Sequence, residues 1–281
     1  MPELISQIAR VLAEPLSYRF MVSALQAGTI VAVVAAAVGW FMVLRRQSFA
    51  GHALAVVGFP GAAGAALIGV STVWGYFAFC LAAALAIALV PAAGGSNRAQ
   101  GSAVTGTVQA LALASGFLFV SLYRGFLGGV SGLLFGSFLG ITSDQVLILL
   151  AAGVVTLAAL AFIGRPLLFS SLDAQVAAAR GVPVRALNVA FLLLLGAAVA
   201  EASQITGALL VFALLVAPPA AAQHVTSRAW RGVGLSVAIG LAVTWAGLLI
   251  AYWWPVPVGF VITSLAFAAY LACRGVAAWK H

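Results

Sequence analysis

Residues 144–164 read DQVLILLAAGVVTLAALAFIG, a run in which the only charged side chain is the first. A helix of about 20 apolar residues is long enough to cross the hydrocarbon core of a bilayer. In the chain as a whole, 64% of the residues are hydrophobic and 6% are charged. A soluble domain carries roughly 25% charged residues, so this composition cannot cover a water-facing surface. The sequence therefore predicts an integral membrane protein.

Similar runs recur along the chain, and helices are the expected spans because each helix satisfies its own backbone hydrogen bonds in lipid. The alternation of polar and apolar residues that a membrane barrel needs is missing. The fold class is predicted to be all-α, a polytopic transmembrane bundle of eight or nine spans in a single domain, residues 1–281. The predicted spans are 20–44, 53–70, 73–91, 103–122, 145–163, 187–202, 206–222, 232–253 and 257–273.

The charge pattern predicts the orientation of these spans. The net charge is +8, but the bases punctuate the apolar runs, so nucleic acid is not a predicted partner. With the spans above, one common side collects Arg45, Arg46, Arg98, Arg165, Arg180, Arg185, Arg228, Arg231, Arg274 and Lys280. The positive-inside rule makes this side cytoplasmic. The N-terminal segment 1–18 mixes acids and bases and is predicted to be an amphipathic helix at the membrane surface.

The segment 125–140 is apolar, short and rich in glycine, and it is predicted to be a partial or re-entrant helix. Four glycines recur at every fourth position, Gly128, Gly132, Gly136 and Gly140. On a helix they form one stripe, and stripes of small residues let helices approach closely in lipid. Tight helix packing is the first interpretation, and a role in lining or gating a pathway is the second.

The longest polar interruption is residues 165–186, on the positive side. It predicts a short helix, with Ser171 or Asp173 capping its start. Gly181 suits the left-handed position after the last turn, and Pro183 stops the helix. Such a helix could simply connect two spans along the membrane surface, or it could dock into a cytoplasmic partner.

The segment SLDAQVAAARGVPV, residues 171–184, resembles the coupling-helix region of the metal-ion permeases of bacterial ABC importers. That family shows Ser-x-Asp-x-x-x-Ala-x-x-x-Gly-x-Pro, which Ser171, Asp173, Ala177, Gly181 and Pro183 match. Three other stretches also resemble the family, in the same order along the chain. They are LRRQSFAGHAL at 44–54, LLFGSFLGITSDQ at 133–145 and TGALLVFALLVAPPAAAQ at 206–223.

The resemblance implies a homodimer in the bacterial cytoplasmic membrane, with two ABC ATPase subunits below it and an extracytoplasmic metal-binding protein above it. It also implies that the segment from Ser171 to Pro183, with Arg180 included, is the place where the ATPase pushes. The only lysine is Lys280, and a phosphate-binding Walker A loop requires one after its second glycine. We therefore expect this chain to be a transporter subunit and not an enzyme, with ATP hydrolysed by a partner chain.

The cargo is predicted to be a divalent metal, most simply zinc, with manganese or ferrous iron as alternatives, and the chain is expected to hold no cofactor of its own. The family pattern places an Asp and a His one helical turn apart after the first span. Here His52 stands at the Asp position and Val56 at the His position. His52 is a candidate metal contact, paired across the dimer axis, or else a histidine at a helix start that faces polar groups.

Glu201 is the one acid deep in an apolar region, within GAAVAEASQITGA. Ionisable groups in a membrane are costly and mark functional sites by default. Glu201 either lines the pathway or is an exposed loop carboxylate near the outer surface. Together with His52 it also allows a second function class, a proton-coupled secondary carrier, although so few acids provide little material for a proton relay. An intramembrane enzyme is disfavoured because no catalytic set of side chains falls within the spans.

Overall fold

The computed structural model describes residues 14–90, 98–123 and 140–279. Most of the predicted N-terminal segment 1–18 lies outside these ranges. So do Gly128, Gly132 and Gly136 of the predicted glycine stripe, while Gly140 is exposed just before a long helix. The predictions for these segments stay predictions.

Within the described ranges the chain forms nine α-helices joined by short connections. They are α1 (Arg19–Leu44), α2 (Ser48–Leu67), α3 (Thr72–Leu89), α4 (Arg98–Leu122), α5 (Ser143–Leu172), α6 (Ala174–Ala179), α7 (Val184–Val225), α8 (Ala229–Trp253) and α9 (Val258–Trp279). No strand occurs in the part of the chain that the structure describes. The all-α bundle predicted from the sequence is confirmed.

Eight helical segments of the described chain are long and apolar enough to cross a membrane. Seven of them are α1 to α5, α8 and α9, and the eighth is Val184–Gln204, the first half of α7. The second half contains a shorter apolar helix, Leu210–Val225. The count therefore matches the predicted eight or nine, and the difference lies in how α7 is divided.

The helix α7 reverses direction inside the bundle. In a straight helix Asn188 and Gln223 would lie about 52 Å apart. Both nevertheless contact the same end of α1: the Asn188 side chain accepts a hydrogen bond from Arg45, and the Gln223 side chain donates one to the carbonyl of Trp40. The chain must therefore turn back between them, and Gly207 is the residue of α7 with non-helical angles, φ 73° and ψ 160°. The two predicted spans 187–202 and 206–222 correspond to the two halves of this hairpin.

The centre of the bundle is formed by α1 and α7. The α7 hairpin packs against α1, α2, α3, α5, α8 and α9, and α2 in turn packs against α3 and α4. Most of the apolar windows of α1 and α2 are buried, whereas α4, α5 and α9 keep most of theirs exposed. Large apolar side chains such as Phe162, Leu111 and Phe260 point outwards. Helices that are apolar on all faces and exposed in this way suit a lipid environment.

Close helix contacts in this bundle depend on small residues. At the α2–α3 crossing, a Cβ atom on Gly61 would overlap the backbone carbonyl of Gly75, and a Cβ on Gly75 would overlap the carbonyl of Gly61. The two backbones therefore touch directly. In lipid, where apolar helices gain little by avoiding the solvent, this packing is a principal source of helix association.

The helix α5 is longer than the predicted span 145–163. It continues through Arg165 and Pro166 to Leu172, so the first third of the predicted loop 165–186 is helical. A proline removes one backbone donor and is tolerated in membrane helices when neighbouring groups compensate. The non-helical interruption is thus reduced to the ends of the small helix α6.

Candidate functional site

Several helix ends meet at one end of the bundle, which we call the basic end. The guanidinium of Arg45, just after α1, contacts Ser171 at the end of α5 and Asn188 at the start of α7. The last turn of α7 contacts Trp40, and α8 begins where Gly232 packs against the Trp40 ring. These contacts bring together the ends where the sequence places most of its arginines. The positive-inside rule predicts that the basic end is cytoplasmic.

The helix α6 projects from the basic end. Among its six residues only Ala177 is buried, and its packing is mainly against α5 and α7, the two helices that flank it. Two apolar side chains of this region are exposed, Leu172 at 72% and Val176 at 45%. Arg180 is exposed at the C-terminal end of the helix. The helix therefore presents an accessible surface with apolar and basic groups.

The residues predicted to begin and end α6 are largely confirmed. The Asp173 carboxylate accepts hydrogen bonds from the backbone N–H groups of Gln175 and Val176, both at 2.9 Å. Of the two predicted caps, Asp173 is thus the one used. Gly181 has φ 82°, the left-handed conformation expected after the last turn, and Pro183 caps the start of α7. The helix is short, as predicted, with six residues.

Ser171 does not cap α6 but takes part in a hydrogen-bond cluster that sequence reasoning missed. Arg45 donates from Nη1 to Ser171 Oγ at 3.1 Å and from Nη2 to Asn188 Oδ1 at 3.0 Å. Gln47 donates to the same Asn188 oxygen at 3.1 Å. The guanidinium also lies 5.3 Å from the centroid of the Phe191 ring. Burial lowers the pKa of Arg45, yet arginine stays protonated in proteins, so these are charge-assisted bonds.

From the sequence alone, Arg45 is one of several topology-determining bases. Asn188 gives no signal, because a single amide at the start of a span is common. Their pairing depends on the contact between α1 and α7, which are far apart along the chain. No local pattern could have indicated it.

His52 lies in the second turn of α2, and its ring packs edge-on against Phe212 with centroids 5.0 Å apart. Its side chain is half-buried, and so is Val56 one turn further, whereas the residues between them are buried. The face that carries His52 and Val56 is therefore only partly covered within one chain.

Glu201 lies in the first half of α7 and is completely buried, with 0% of its surface exposed. The alternative of an exposed loop carboxylate is therefore wrong, because α7 continues as a helix past this position inside the bundle. A Cβ on Gly153 of α5 would lie 2.9 Å from Glu201 Oε1 and 3.1 Å from methyl groups of Ile30 and Val34. Neither carboxylate oxygen has a hydrogen-bond partner in the part of the chain described.

His52 and Glu201 have different neighbours, Phe212 for the imidazole and Gly153 for the carboxylate. No group of three or more His, Cys, Asp or Glu side chains that could hold a metal ion occurs among the described residues. A cavity of about 980 Å³ is lined by residues such as Leu25, Leu147 and Trp245, with no His, Cys, Asp or Glu on its described walls. It does not correspond to a metal site.

Residues 17–276 match the ABC 3 transport family. The chain belongs to this family. It is a permease of a metal-type ABC importer and a multi-pass protein of the bacterial inner membrane, as the eight apolar spans also indicate. The family resemblance of the four quoted motifs is thus confirmed over nearly the whole chain.

Named relatives agree with this assignment. The permease is 32% identical over 260 residues to the chelated iron transport system membrane protein YfeC of Yersinia pestis, covering 92% of this chain and 87% of YfeC. It is 29% identical over 251 residues to the manganese transport system membrane protein MntC of Halalkalibacterium halodurans, covering 89% and 85% of the two chains. Among solved structures, PsaBC from Streptococcus pneumoniae in complex with Fab matches with a TM-score of 0.83 at 27% identity, covering 95% of each chain.

Proposed function

We propose that this permease imports a divalent first-row transition metal and is driven by ATP hydrolysis on separate ABC ATPase subunits that dock on α6. The observation that carries the proposal is α6 itself. It is a capped helix at the basic end with one buried residue, Ala177, and an exposed Val176, and Leu172 at the end of α5 beside it is exposed as well. Exposed apolar groups at a polar surface are typical of a protein contact. A mere connector between two spans has no need of this surface.

Manganese or iron is the cargo favoured by the relatives, since YfeC is named for chelated iron and MntC for manganese. Zinc, the cargo predicted from the sequence, stays a prediction. Imidazole ligands suit iron and zinc, and carboxylate ligands suit manganese. The two candidate donors within the spans, His52 and Glu201, supply one ligand of each kind.

We propose His52 as the pathway contact, in a homodimer whose two copies each present one imidazole, with an extracytoplasmic binding protein delivering the ion. The partly covered face with His52 and Val56 supports this. A single imidazole on each side binds weakly, which suits a site that must also release its ion. Glu201 as a second lining group stays a prediction.

Uptake of radiolabelled manganese, iron and zinc into proteoliposomes tests the cargo, with the cognate ATPase and binding protein present. The proposal expects that uptake requires ATP. It also expects that the preferred metal, added as an unlabelled competitor, inhibits uptake most strongly. Metal uptake at full rate without nucleotide would refute the ATP-driven importer. It would favour the proton-coupled carrier, the alternative that the buried Glu201 carboxylate supports.

The role of His52 is tested by His52→Ala against His224→Ala as a matched control. His224 is exposed at the basic end, with its ring 5.4 Å from Tyr270. We expect His52→Ala to lower the rate of metal uptake and His224→Ala to leave it unchanged. Unchanged uptake by the His52 variant would remove this residue from the pathway without affecting the assignment of the ATPase surface.

A further inference from the structure

One guanidinium holds both flanks of α6. Ser171 lies in the last turn of α5, three residues before α6 begins, and Asn188 lies in the second turn of α7. Arg45 donates one hydrogen bond to each of them, at 3.1 Å and 3.0 Å. The two helices that enter and leave α6 are therefore fastened to the same side chain.

The same cluster continues into α2. Gln47 is the residue that precedes α2, and its amide donates to the Asn188 oxygen that Arg45 also uses. Five residues later on α2 stands His52. Arg45 and Gln47 are the first and last of the three residues that connect α1 to α2, so the start of α2 is bound through Asn188 to the start of α7.

Few other contacts connect α6 to the bundle. Its packing is mainly against α5 and α7, and Ala177 is its one buried residue. A force applied to α6 must therefore pass into the ends of α5 and α7, where Ser171 and Asn188 lie. Arginine suits this position because its planar fork can bind two acceptors in fixed directions at once, which a lysine ammonium does not reproduce.

We infer that Arg45 is a positioning residue that transmits the displacement of α6 to α2 and its His52, through Ser171, Asn188 and Gln47. This inference rests on the proposed function, in which an ATPase pushes on α6. It assigns to the connection between α1 and α2 the role of a rigid link, so that α6 and α2, the helix of His52, move as one body. Energetic coupling through such a cluster requires that its members act as a unit, and this property can be measured.

The experiment measures the number of ATP molecules hydrolysed per metal ion imported, in proteoliposomes with the complete importer. Arg45→Lys keeps the charge but loses the fork, and the matched control is Arg46→Lys, on the neighbouring exposed residue. We expect Arg45→Lys to raise the ratio about tenfold, the factor for losing one charge-assisted hydrogen bond. Arg46→Lys should leave the ratio at the wild-type value.

Milder variants keep the inference testable if Arg45→Lys does not assemble. Ser171→Ala and Asn188→Ala each remove one acceptor and leave Arg45 in place. Each should raise the ratio, and the double variant should raise it by less than the product of the single effects, because the two acceptors serve one side chain. If both single variants hydrolyse the same number of ATP molecules per imported metal ion as wild type, the inference is overturned.

The outcomes separate this inference from the proposed function. If the wild-type protein transports metal without the ATPase, the proposed function fails, and the coupling inference fails with it. If transport requires ATP but the Arg45, Ser171 and Asn188 variants behave like the Arg46 control, only the inference fails. Thermal unfolding of each variant, measured alongside, distinguishes lost coupling from lost folding.

Discussion

The reversal of α7 at Gly207 gives the sharpest test of the fold. Gly207 has φ 73° and ψ 160°, a combination that residues other than glycine essentially do not adopt and that costs about 1–3 kcal/mol when imposed on them. Gly207→Ala should therefore destabilise the protein by this amount. With about 2–4 °C per kcal/mol for a chain of this size, the unfolding temperature should fall by roughly 2–12 °C.

A thiol-reactive fluorophore can report the unfolding temperature in detergent or nanodiscs. Cys80 is completely buried and reacts only when the bundle opens, and the half-buried Cys273 is replaced by serine beforehand. The matched control is Gly234→Ala, because Gly234 lies within α8, is exposed, and would place an added Cβ in open space with no atom within 4 Å. Alanine is preferred to glycine inside a helix by roughly 0.5–1 kcal/mol.

The two substitutions are thus chemically identical, but their expected effects on stability are opposite. Gly207→Ala should unfold at a lower temperature than wild type, and Gly234→Ala at the same or a slightly higher temperature. If Gly207→Ala were as stable as Gly234→Ala, the chain would not reverse through a glycine-specific conformation at this residue, and the α7 hairpin would be wrong.

Three further substitutions test other contacts. Gly153→Ala places a Cβ 2.9 Å from Glu201 Oε1 and 3.1 Å from methyl groups of Ile30 and Val34. Because the carboxylate end can shift, the overpacking should cost about 1 kcal/mol in thermal unfolding, partly relieved by Glu201→Ala; a gain in stability like that of Gly234→Ala contradicts this packing. Asp173→Ala removes both hydrogen bonds to the first turn of α6 and should cost about 1 kcal/mol of local helix stability. Membrane insertion should be normal, but less metal should be imported per ATP hydrolysed; a wild-type amount of metal per ATP would count against α6 as the docking helix. Gly61→Ala should separate α2 from α3, because its Cβ overlaps the Gly75 carbonyl, and should lower the free energy of unfolding by about 1–3 kcal/mol. Stability equal to wild type would show that the two backbones do not touch at this crossing.

The fold could be predicted from the sequence because membrane constraints act locally. A bilayer core of fixed thickness requires apolar segments of about 20 residues, and the segment 144–164 shows this without reference to any other part of the chain. Helix punctuation is equally local. Asp173 and Gly181 mark the ends of α6 through their own side chain and backbone conformation.

The candidate site was predicted less well because it depends on contacts between distant segments. The burial of Glu201 follows from packing against Gly153 and α1, which the polar residues after it in sequence obscured. The extension of α5 past Pro166 depends on the tolerance of a membrane helix for a missing backbone bond. The cluster of Arg45 and Asn188 joins residues 143 positions apart, and nothing at either position indicates the other.

The hairpin also explains why the candidate residues lie where they do. The Leu215 carbonyl packs on Gly39 of α1, and Gly207, eight residues earlier, lies about 12 Å further from the basic end. This distance places the tip inside the bundle, at membrane depth. Irregular backbone is tolerated there only where protein buries it or where it lines a cavity; Gly207 is buried, and the Thr206 hydroxyl donates to the Ala202 carbonyl at 2.9 Å.

Glu201 lies six residues before the tip, and Phe212, the partner of His52, lies five residues after it. Glu201 and Phe212 therefore lie on opposite halves of the hairpin, while His52 itself belongs to α2. A change in the angle at Gly207 would move Glu201 and Phe212 relative to each other, since each is carried by one helical half of α7. The proposed metal contact at His52 is thus linked to the break at Gly207 through the Phe212 ring, whereas Glu201 is linked to it directly through its own helical half.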